Sequence, residues 1–351
     1  MGENEEISLF VPGRLCLFGE HSDWAGGHRR QNSEIEKGYT IIAPTNQGTY
    51  AKARKLDEKK LAVKSTLDDK VFEIDMEKKK LLRESRKESL FSHIAGTAYQ
   101  ILVHYNNIHG LEINNYKTDL PIKKGLSSSA SICVLTARAF NNLYGIGLTK
   151  EGEMDLAYRG ETTTPSRCGR MDQACAFNEP ILISYDADLI EIKPLEVGED
   201  IHMLIVDLRK EKNTRKILAE LNKGFPFPTS DLEKKKHEYL GKINKDIVFK
   251  AVEYIKEGNA EKLGKLMNKA QEKFDAYLAP ACPEELIAPK LHSVLYYSRL
   301  RPHIYGGKGV GSQGDGTAQL ICKSKEDKEK AKEILESELD VECLDLDLKR
   351  T

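Results

Sequence analysis

The segment LPIKKGLSSSASICVLTARAF, residues 120–140, constrains this chain more than any other stretch. A glycine and three serines stand directly before a run in which Ala130, Val134, Ala137 and Phe140 recur at helical spacing. The pattern predicts a helix from about Ser128 to Leu143, entered by a tight turn at Gly125. The N–H groups that open a helix have no carbonyl partner within it, and the helix dipole makes that end partially positive, so it is an anion site. Ser127, Ser128 and Ser129 add hydroxyls that can bond phosphate oxygens or reach a magnesium ion. A capping serine is the simpler reading of any one of them. Gly125 and Leu126, followed by three serines and Ala130, favour phosphate binding, though the loop is not the GxxxxGK[ST] type.

Three other segments carry groups suited to the same chemistry. In VPGRLCLFGEHSDWAGG, residues 11–27, Arg14 sits on an expected strand, and Glu20, His21 and Asp23 cluster in the turn after it. Carboxylates accept from hydroxyls and an imidazole donates or accepts, so the cluster suits a ligand rich in hydroxyls. Arg14 is a fixed cation able to steady charge on a transferring phosphoryl group. In RGETTTPSRCGRMDQACAF, residues 159–177, Asp172 follows Glu161 by eleven residues. One carboxylate could hold magnesium while the other accepts a proton from a substrate hydroxyl. YGGKGVGSQGDGTAQLI, residues 305–321, has six glycines between 306 and 316. That loop could close over a nucleotide phosphate or an acceptor, or be a turn with no ligand.

Composition removes several alternatives. With 54 basic and 55 acidic residues among 351, the net charge of -1 lacks the basic excess of a nucleic-acid coat protein. No apolar run approaches the ~20 residues of a membrane-spanning helix. The start, MGENEEISLF, is acidic and lacks the features of a secretory signal, so a cytoplasmic location is expected. Gly2 invites a myristoylation reading, but Glu6 stands where Ser or Thr is required. The seven cysteines are scattered without a CxxC pair, which argues for reduced thiols rather than a disulfide or zinc framework.

Length gives a prior of about two domains at roughly 150 residues each. Strands are expected at 7–18, broken by Pro12 and Gly13, and at 38–54, with a helix from Leu90. Short strands near 181–185 and 188–193 precede Pro194 and Gly198, which sets the boundary between domains 1–197 and 198–351. The second half reads as strand 202–208, helices near 231–257, 259–278 and 284–298, then strand 317–322, helix 325–338 and strand 341–347. That ending suggests a ferredoxin-like sandwich.

Together the four segments resemble the signature regions of the GHMP kinase superfamily, that of galactokinase, homoserine kinase, mevalonate kinase and phosphomevalonate kinase. PGRLCLFGEHSDWAGG resembles the galactokinase opening motif, PIKKGLSSSAS the ATP-binding motif, CGRMDQ the catalytic-aspartate motif and GGKGVGSQGDGTA the C-terminal glycine motif. GNAEKLGKLMNKAQEKF, 258–274, resembles a helix common in the C-terminal half. The resemblance implies an α+β fold with an N-terminal domain of the ribosomal-protein type and a ferredoxin-like C-terminal domain. It implies ATP and Mg2+ as cofactors and phosphoryl transfer to a hydroxyl. By residue, Gly125 to Ala130 would cradle the phosphates, and Ser128 or Ser129 with Glu161 would hold magnesium. Asp172 would be the base, and Arg14 would orient it and offset developing charge. Glu20, His21, Asp23 and Trp24, with Gly309 and Gly311, would bind the acceptor.

That acceptor is expected to be a polyhydroxylated small molecule: a sugar, a uronic acid or a cyclitol of the inositol or inosose kind. No nucleic-acid or membrane partner is expected, and a homodimer is left open. Trp24 replaces the tyrosine usual in galactokinases, and HRRQNSEIEK, 28–37, intervenes before GYTII, both beside the sugar-recognising residues. Arg29 and Arg30 in that insertion would suit an acceptor with a carbonyl or acid group. The alternative to a kinase is a galactokinase-like sensor that binds sugar and ATP without turnover. A decarboxylating relative is the weaker third reading, given Glu20 and His21.

Overall fold

The computed structural model describes residues 6–65, 71–87, 89–120, 125–166 and 168–351. Strand β1 (Glu6–Phe18) leads through helix α1 (Ser22–Gly27) and a 3-10 turn at His28–Arg30 into β2 (Gly38–Leu56), β3 (Lys60–Ser65) and β4 (Val71–Asp75). Helices α2 (Lys78–Ser85) and α3 (Leu90–His104), strand β5 (Gly110–Thr118) and helices α4 (Ser128–Tyr144) and α5 (Lys150–Thr162) follow, then a 3-10 turn at Asp172–Ala176. The hairpin β6 (Ile181–Asp186) and β7 (Leu189–Pro194) precedes β8 (Ile201–Asp207). Next come α6 (Thr214–Asn222), α7 (Asp231–Glu238), α8 (Asn244–Lys256), α9 (Ala260–Tyr277), α10 (Pro283–Leu286) and α11 (Pro289–Leu295). The chain closes through β9 (Ile304–Gly309), β10 (Thr317–Cys322), α12 (Lys325–Glu338) and β11 (Glu342–Leu348).

The chain forms two compact units that do not follow one another in sequence: the chain up to Arg14 with Pro44–Asn178, and Leu15–Ala43 with Glu179–Thr351. This division differs from a cut at 197/198 because the β6–β7 hairpin pairs through β6 with the first residues of β2, Gly38 opposite Tyr185 and Ile42 opposite Ile181. In the first unit the later part of β2 pairs antiparallel with β5, β5 runs parallel to β3, and β3 pairs antiparallel with β4. Helices α3, α4 and α5 pack on one another. Their shared core is formed by small and aliphatic side chains, among them Ala95, Ala98, Ile101, Val134, Ala137 and Phe140.

In the second unit β8, β9, β10 and β11 form an antiparallel sheet in the order β11-β8-β10-β9. The succession strand, helices, two strands, helix, strand is the ferredoxin-like arrangement expected from the sequence. Leu204, Val206, Leu291, Leu320, Ala331 and Leu335 fill its core. Two expectations fail locally. Residues 6–18 run as one strand through Pro12 and Gly13. The helix expected over 284–298 is broken, because Ala288 is left-handed (φ 48°) and Pro289 begins α11 in the position where a missing N–H costs nothing. None of the seven cysteines is in a disulfide. Among the described residues no helix is long and apolar enough to cross a membrane.

Candidate active site

The candidate catalytic group of the first unit is built where β1, α4 and the 3-10 turn at Asp172 meet. The backbone N–H of Arg14 donates to the Leu126 carbonyl (3.1 Å), and its guanidinium Nη1 donates to the Gly125 carbonyl (3.1 Å). Its Nη2 makes an ion pair with Asp172 Oδ1. Arg14 therefore holds the serine loop and the aspartate at once, with a rigid fork that lysine could not reproduce. Ser127 takes a left-handed conformation (φ 60°) and, rather than capping α4, donates its hydroxyl to Asp172 Oδ1 (3.0 Å). Among the described residues no side chain caps the start of α4, as anion binding at a helix start requires. Arg138 braces the assembly: it donates to the carbonyls of Phe10 (3.1 Å) and Ala176 (2.8 Å) and pairs with Glu153 (2.8 Å).

Glu161 lies at the end of α5, 1 % exposed. Its placement depends on a close crossing of α3 and α5, where a Cβ on Gly160 would strike Thr97 and one on Gly96 would strike the Gly160 carbonyl. Ser129 Oγ donates to Glu161 Oε1 (2.8 Å) and Gln173 Nε2 to Oε2 (2.8 Å), with Ser166 Oγ at 3.4 Å. Burial first, then the negative charge of Asp172, raises the Glu161 pKa, and these hydrogen bonds offset part of the rise. Carboxylate and hydroxyl oxygens are the hard donors that magnesium prefers, and a buried carboxyl with a raised pKa gains from a cation. The residues present thus fit Mg2+. Of the two serines expected to share it, Ser129 reaches Glu161, whereas Ser128 accepts from Ser131 Oγ through its carbonyl (2.8 Å). Gln173, whose NH2 also lies 3.5 Å from Cys168 Sγ, was not singled out by sequence; its position next to Asp172 is the signal that could have found it.

The second unit holds the cluster expected to bind an acceptor. Glu20, His21 and Asp23 are all buried, and Asn244 on α8 ties the turn by donating to Ser22 Oγ (2.7 Å). His21 is left-handed (φ 68°), a conformation unusual for a residue with a side chain. Its ring stacks on Phe274 at 6.4 Å, and its Nδ1 accepts from the Trp24 indole N–H (3.2 Å). Burial, then the positive charges of Lys212 and Lys308, lowers the His21 pKa to about 3, so the imidazole stays neutral; the Ser312 backbone opposes this weakly. Trp24 packs edge-on against Phe225 (5.2 Å) and His28 (6.3 Å).

The glycine-rich loop is held from within. Gly309 donates its N–H to Gln271 Oε1 (2.8 Å), and its carbonyl accepts from Lys308 Nζ (3.0 Å) and Gln313 Nε2 (3.3 Å). A Cβ on Gly309 would strike the Gln313 side chain, which explains the glycine there. Gly311 is a left-handed turn residue (φ 63°), and Lys212 closes the turn on the carbonyls of Val310 (3.1 Å) and Gln313 (2.7 Å). Lys308 pairs with Glu20, a contact that sequence reading missed. The insertion 28–37 is bonded rather than free. Arg29 bonds Asp186 (2.6 Å) and the carbonyls of Ser33 and Ile35, Arg30 pairs with Asp188, Asn32 bonds the Pro226 carbonyl (2.8 Å), and Ile35 is buried.

Comparison with known proteins finds similarity to one family in part of the chain. Residues 92–179 match the model of the GHMP kinases N terminal domain. A galactokinase of Streptococcus suis is 28 % identical over 229 residues, covering 62 % of this chain and 53 % of that protein. The match therefore spans about half the length of that relative. A galactokinase of Lactobacillus helveticus is 24 % identical over 364 residues, 92 % of this chain and 87 % of its own. The solved structure of a Lactococcus lactis galactokinase complexed with galactose shares the fold, with a TM-score of 0.76 at 19 % identity, over 99 % of this chain and 94 % of its own.

Proposed function

We propose that this chain is a galactokinase-like member of the GHMP kinase superfamily and that it transfers the γ-phosphoryl group of ATP to a hydroxyl of a sugar or sugar derivative. The observation that carries this reading is the joint hold of Arg14 and Ser127 on Asp172 Oδ1 beside the open end of α4. Asp172 Oδ2 has no bond among the described residues and is the atom assigned to take the proton of the attacking hydroxyl. The new bond forms between that hydroxyl oxygen and the γ-phosphorus, the bond to the β-phosphate bridging oxygen breaks, and ADP leaves. Arg14 orients Asp172 and offsets charge on the phosphoryl oxygens.

Gly125 to Ala130 would hold the phosphates, and Glu161 with Ser129, and Ser128 beside them, would hold magnesium. When bound, that ion neutralises phosphate charge. Glu20, His21, Asp23 and Trp24, with the loop at Gly309 and Gly311, are assigned to the acceptor. We keep 1–197 and 198–351 as the family's two sequence domains and a cytoplasmic setting as part of the same reading. Arg14, Asp172 and Glu161 are all present and Arg14 pairs with Asp172, which supports a kinase over a non-catalytic sensor.

The test is ADP release from ATP and Mg2+ against a panel of hexoses, uronic acids, inositols and inososes, run with the parent and Asp172→Asn. At least one acceptor should support turnover, and Asp172→Asn should lower it ~10²-fold or more with ATP binding retained, the scale of a lost general base. Turnover within about threefold of the parent in Asp172→Asn would remove that residue from the base role.

A further inference from the structure

Glu20 was expected to accept hydrogen bonds from substrate hydroxyls, yet in the second unit it is met by a cation. Lys308 Nζ, on β9, makes an ion pair with Glu20 Oε1, and the two side chains are 2 % and 5 % exposed. The ammonium also donates to the Gly309 carbonyl (3.0 Å) and lies 5.8 Å from the centre of the Phe18 ring. An ammonium has three N–H donors. Two are used here, and the third has no hydrogen-bond partner among the described residues.

A buried ion pair adds little to stability compared with apolar side chains of the same size, so its retention calls for another reason. His21 supplies it. Its Nδ1 accepts from Trp24, which places the ring proton on Nε2. That nitrogen is buried and faces the Ser312 backbone without completing a hydrogen bond of ordinary geometry among the described residues. Lys212 and Lys308 both act on the ring as positive charges. The cluster therefore offers an ammonium N–H and an imidazole N–H, with the charges of Lys212 and Lys308 set against those of Glu20 and Asp23. The group that complements two such donors is one that only accepts and carries negative charge: a carboxylate.

Resting on the kinase reading above, we propose that the acceptor is a hexuronic acid and that Lys308 sets this specificity, with its ammonium and His21 Nε2–H bonding the sugar carboxylate. Glu20 then serves chiefly to hold Lys308 in place, and Asp23 remains for hydroxyls. Arg29 and Arg30, the cations that sequence pointed to for an acid group, are engaged instead by Asp186 and Asp188.

Calorimetric titration of the full chain with D-galacturonate, D-glucuronate, D-galactose and D-glucose tests the proposal without requiring turnover. A hexuronate should bind about 10- to 100-fold more tightly than the neutral sugar of the same stereochemistry, the factor that one charge-assisted hydrogen bond supplies. In Lys308→Met that preference should fall to within about threefold. Because the single change strands Glu20, the double variant Lys308→Met with Glu20→Gln keeps the site neutral, and it should also lose the preference at a melting temperature near the parent's. Equal or tighter binding of the neutral sugars by the parent, survival of the preference in the double variant, or no binding of any of the four would overturn the proposal. Binding of a hexuronate without ADP release would instead sink the kinase reading and leave the carboxylate site standing.

Discussion

Arg14→Met should weaken both the first unit and its chemistry. The Arg14 side chain is 5 % exposed and that of Asp172 is 22 % exposed, so the pair is buried on one side and partly wet on the other. A hydrogen bond to a charged group contributes about 1.5–3 kcal/mol, and removing one partner of a fully buried ion pair costs about 3–5 kcal/mol. Water can reach Asp172, which places the expected loss near the lower figures, at about 2–3 kcal/mol. Methionine retains the apolar stem, so the loss reports the guanidinium and its bonds to Asp172 and the Gly125 carbonyl. Arg14→Lys should fall between, since one ammonium cannot fork to both partners. Urea unfolding of the three proteins measures the stability, and initial rates measure turnover, which should drop ~10²-fold as Asp172 and the serine loop lose their shared anchor. An Arg14→Met protein within about 0.5 kcal/mol of the parent and with turnover within about threefold would refute the idea that Arg14 assembles the site.

Ser129→Ala should raise the free magnesium needed for half-maximal activity more than Ser128→Ala does, because Ser129 is the serine bonded to Glu161; equal midpoints in the two variants would contradict it. His21 makes stability depend on acid: above its ordinary pKa of 6.5 neither state is protonated, and between there and about pH 3 only the unfolded chain takes the proton. Stability should therefore fall by up to about 1.4 kcal/mol per pH unit as pH drops below 6.5, a loss that His21→Gln removes. Urea midpoints that fall in parallel for both proteins would rule this out. Replacing 28–37 by a Gly-Ser link should cost about 2–4 kcal/mol, from the burial of Ile35 and the bonds of Arg29 and Asn32; an unchanged urea midpoint would return the segment to a loosely attached loop.

The parts of the fold that sequence revealed are those where local pattern and tertiary role agree. α4 begins at Ser128, the expected start, and β10, α12 and β11 fall within a residue or two of the expected bounds. β5 escaped notice because its buried side of Leu111, Ile113 and Asn115 includes a polar residue, which blurs the alternation; Asn115 is satisfied by the Tyr50 and Lys117 carbonyls. In the first unit Arg14 and Ser127 meet Asp172, and Ser129 meets Glu161, each of them lying in a motif. Ser127 is bonded to Asp172, a partner 45 positions away, instead of to its own helix. Lys308 was illegible for the same reason at greater range: a lysine amid glycines reads as exposed, and the carboxylate that permits its burial lies 288 positions earlier. The bonds of the insertion 28–37 were illegible for the same reason, since Asp186 and Asp188, which pair with Arg29, Arg30 and Lys37, lie about 150 positions later.

The most direct test of the central claim is phosphorus NMR of the reaction of the full chain with ATP, Mg2+ and each acceptor that binds. The account predicts a new sugar phosphomonoester resonance that grows one for one with ADP as the γ-phosphate of ATP disappears, and that is lost in Asp172→Asn. ATP and sugar that both bind while the three ATP resonances persist unchanged, or inorganic phosphate as the sole product, would contradict it.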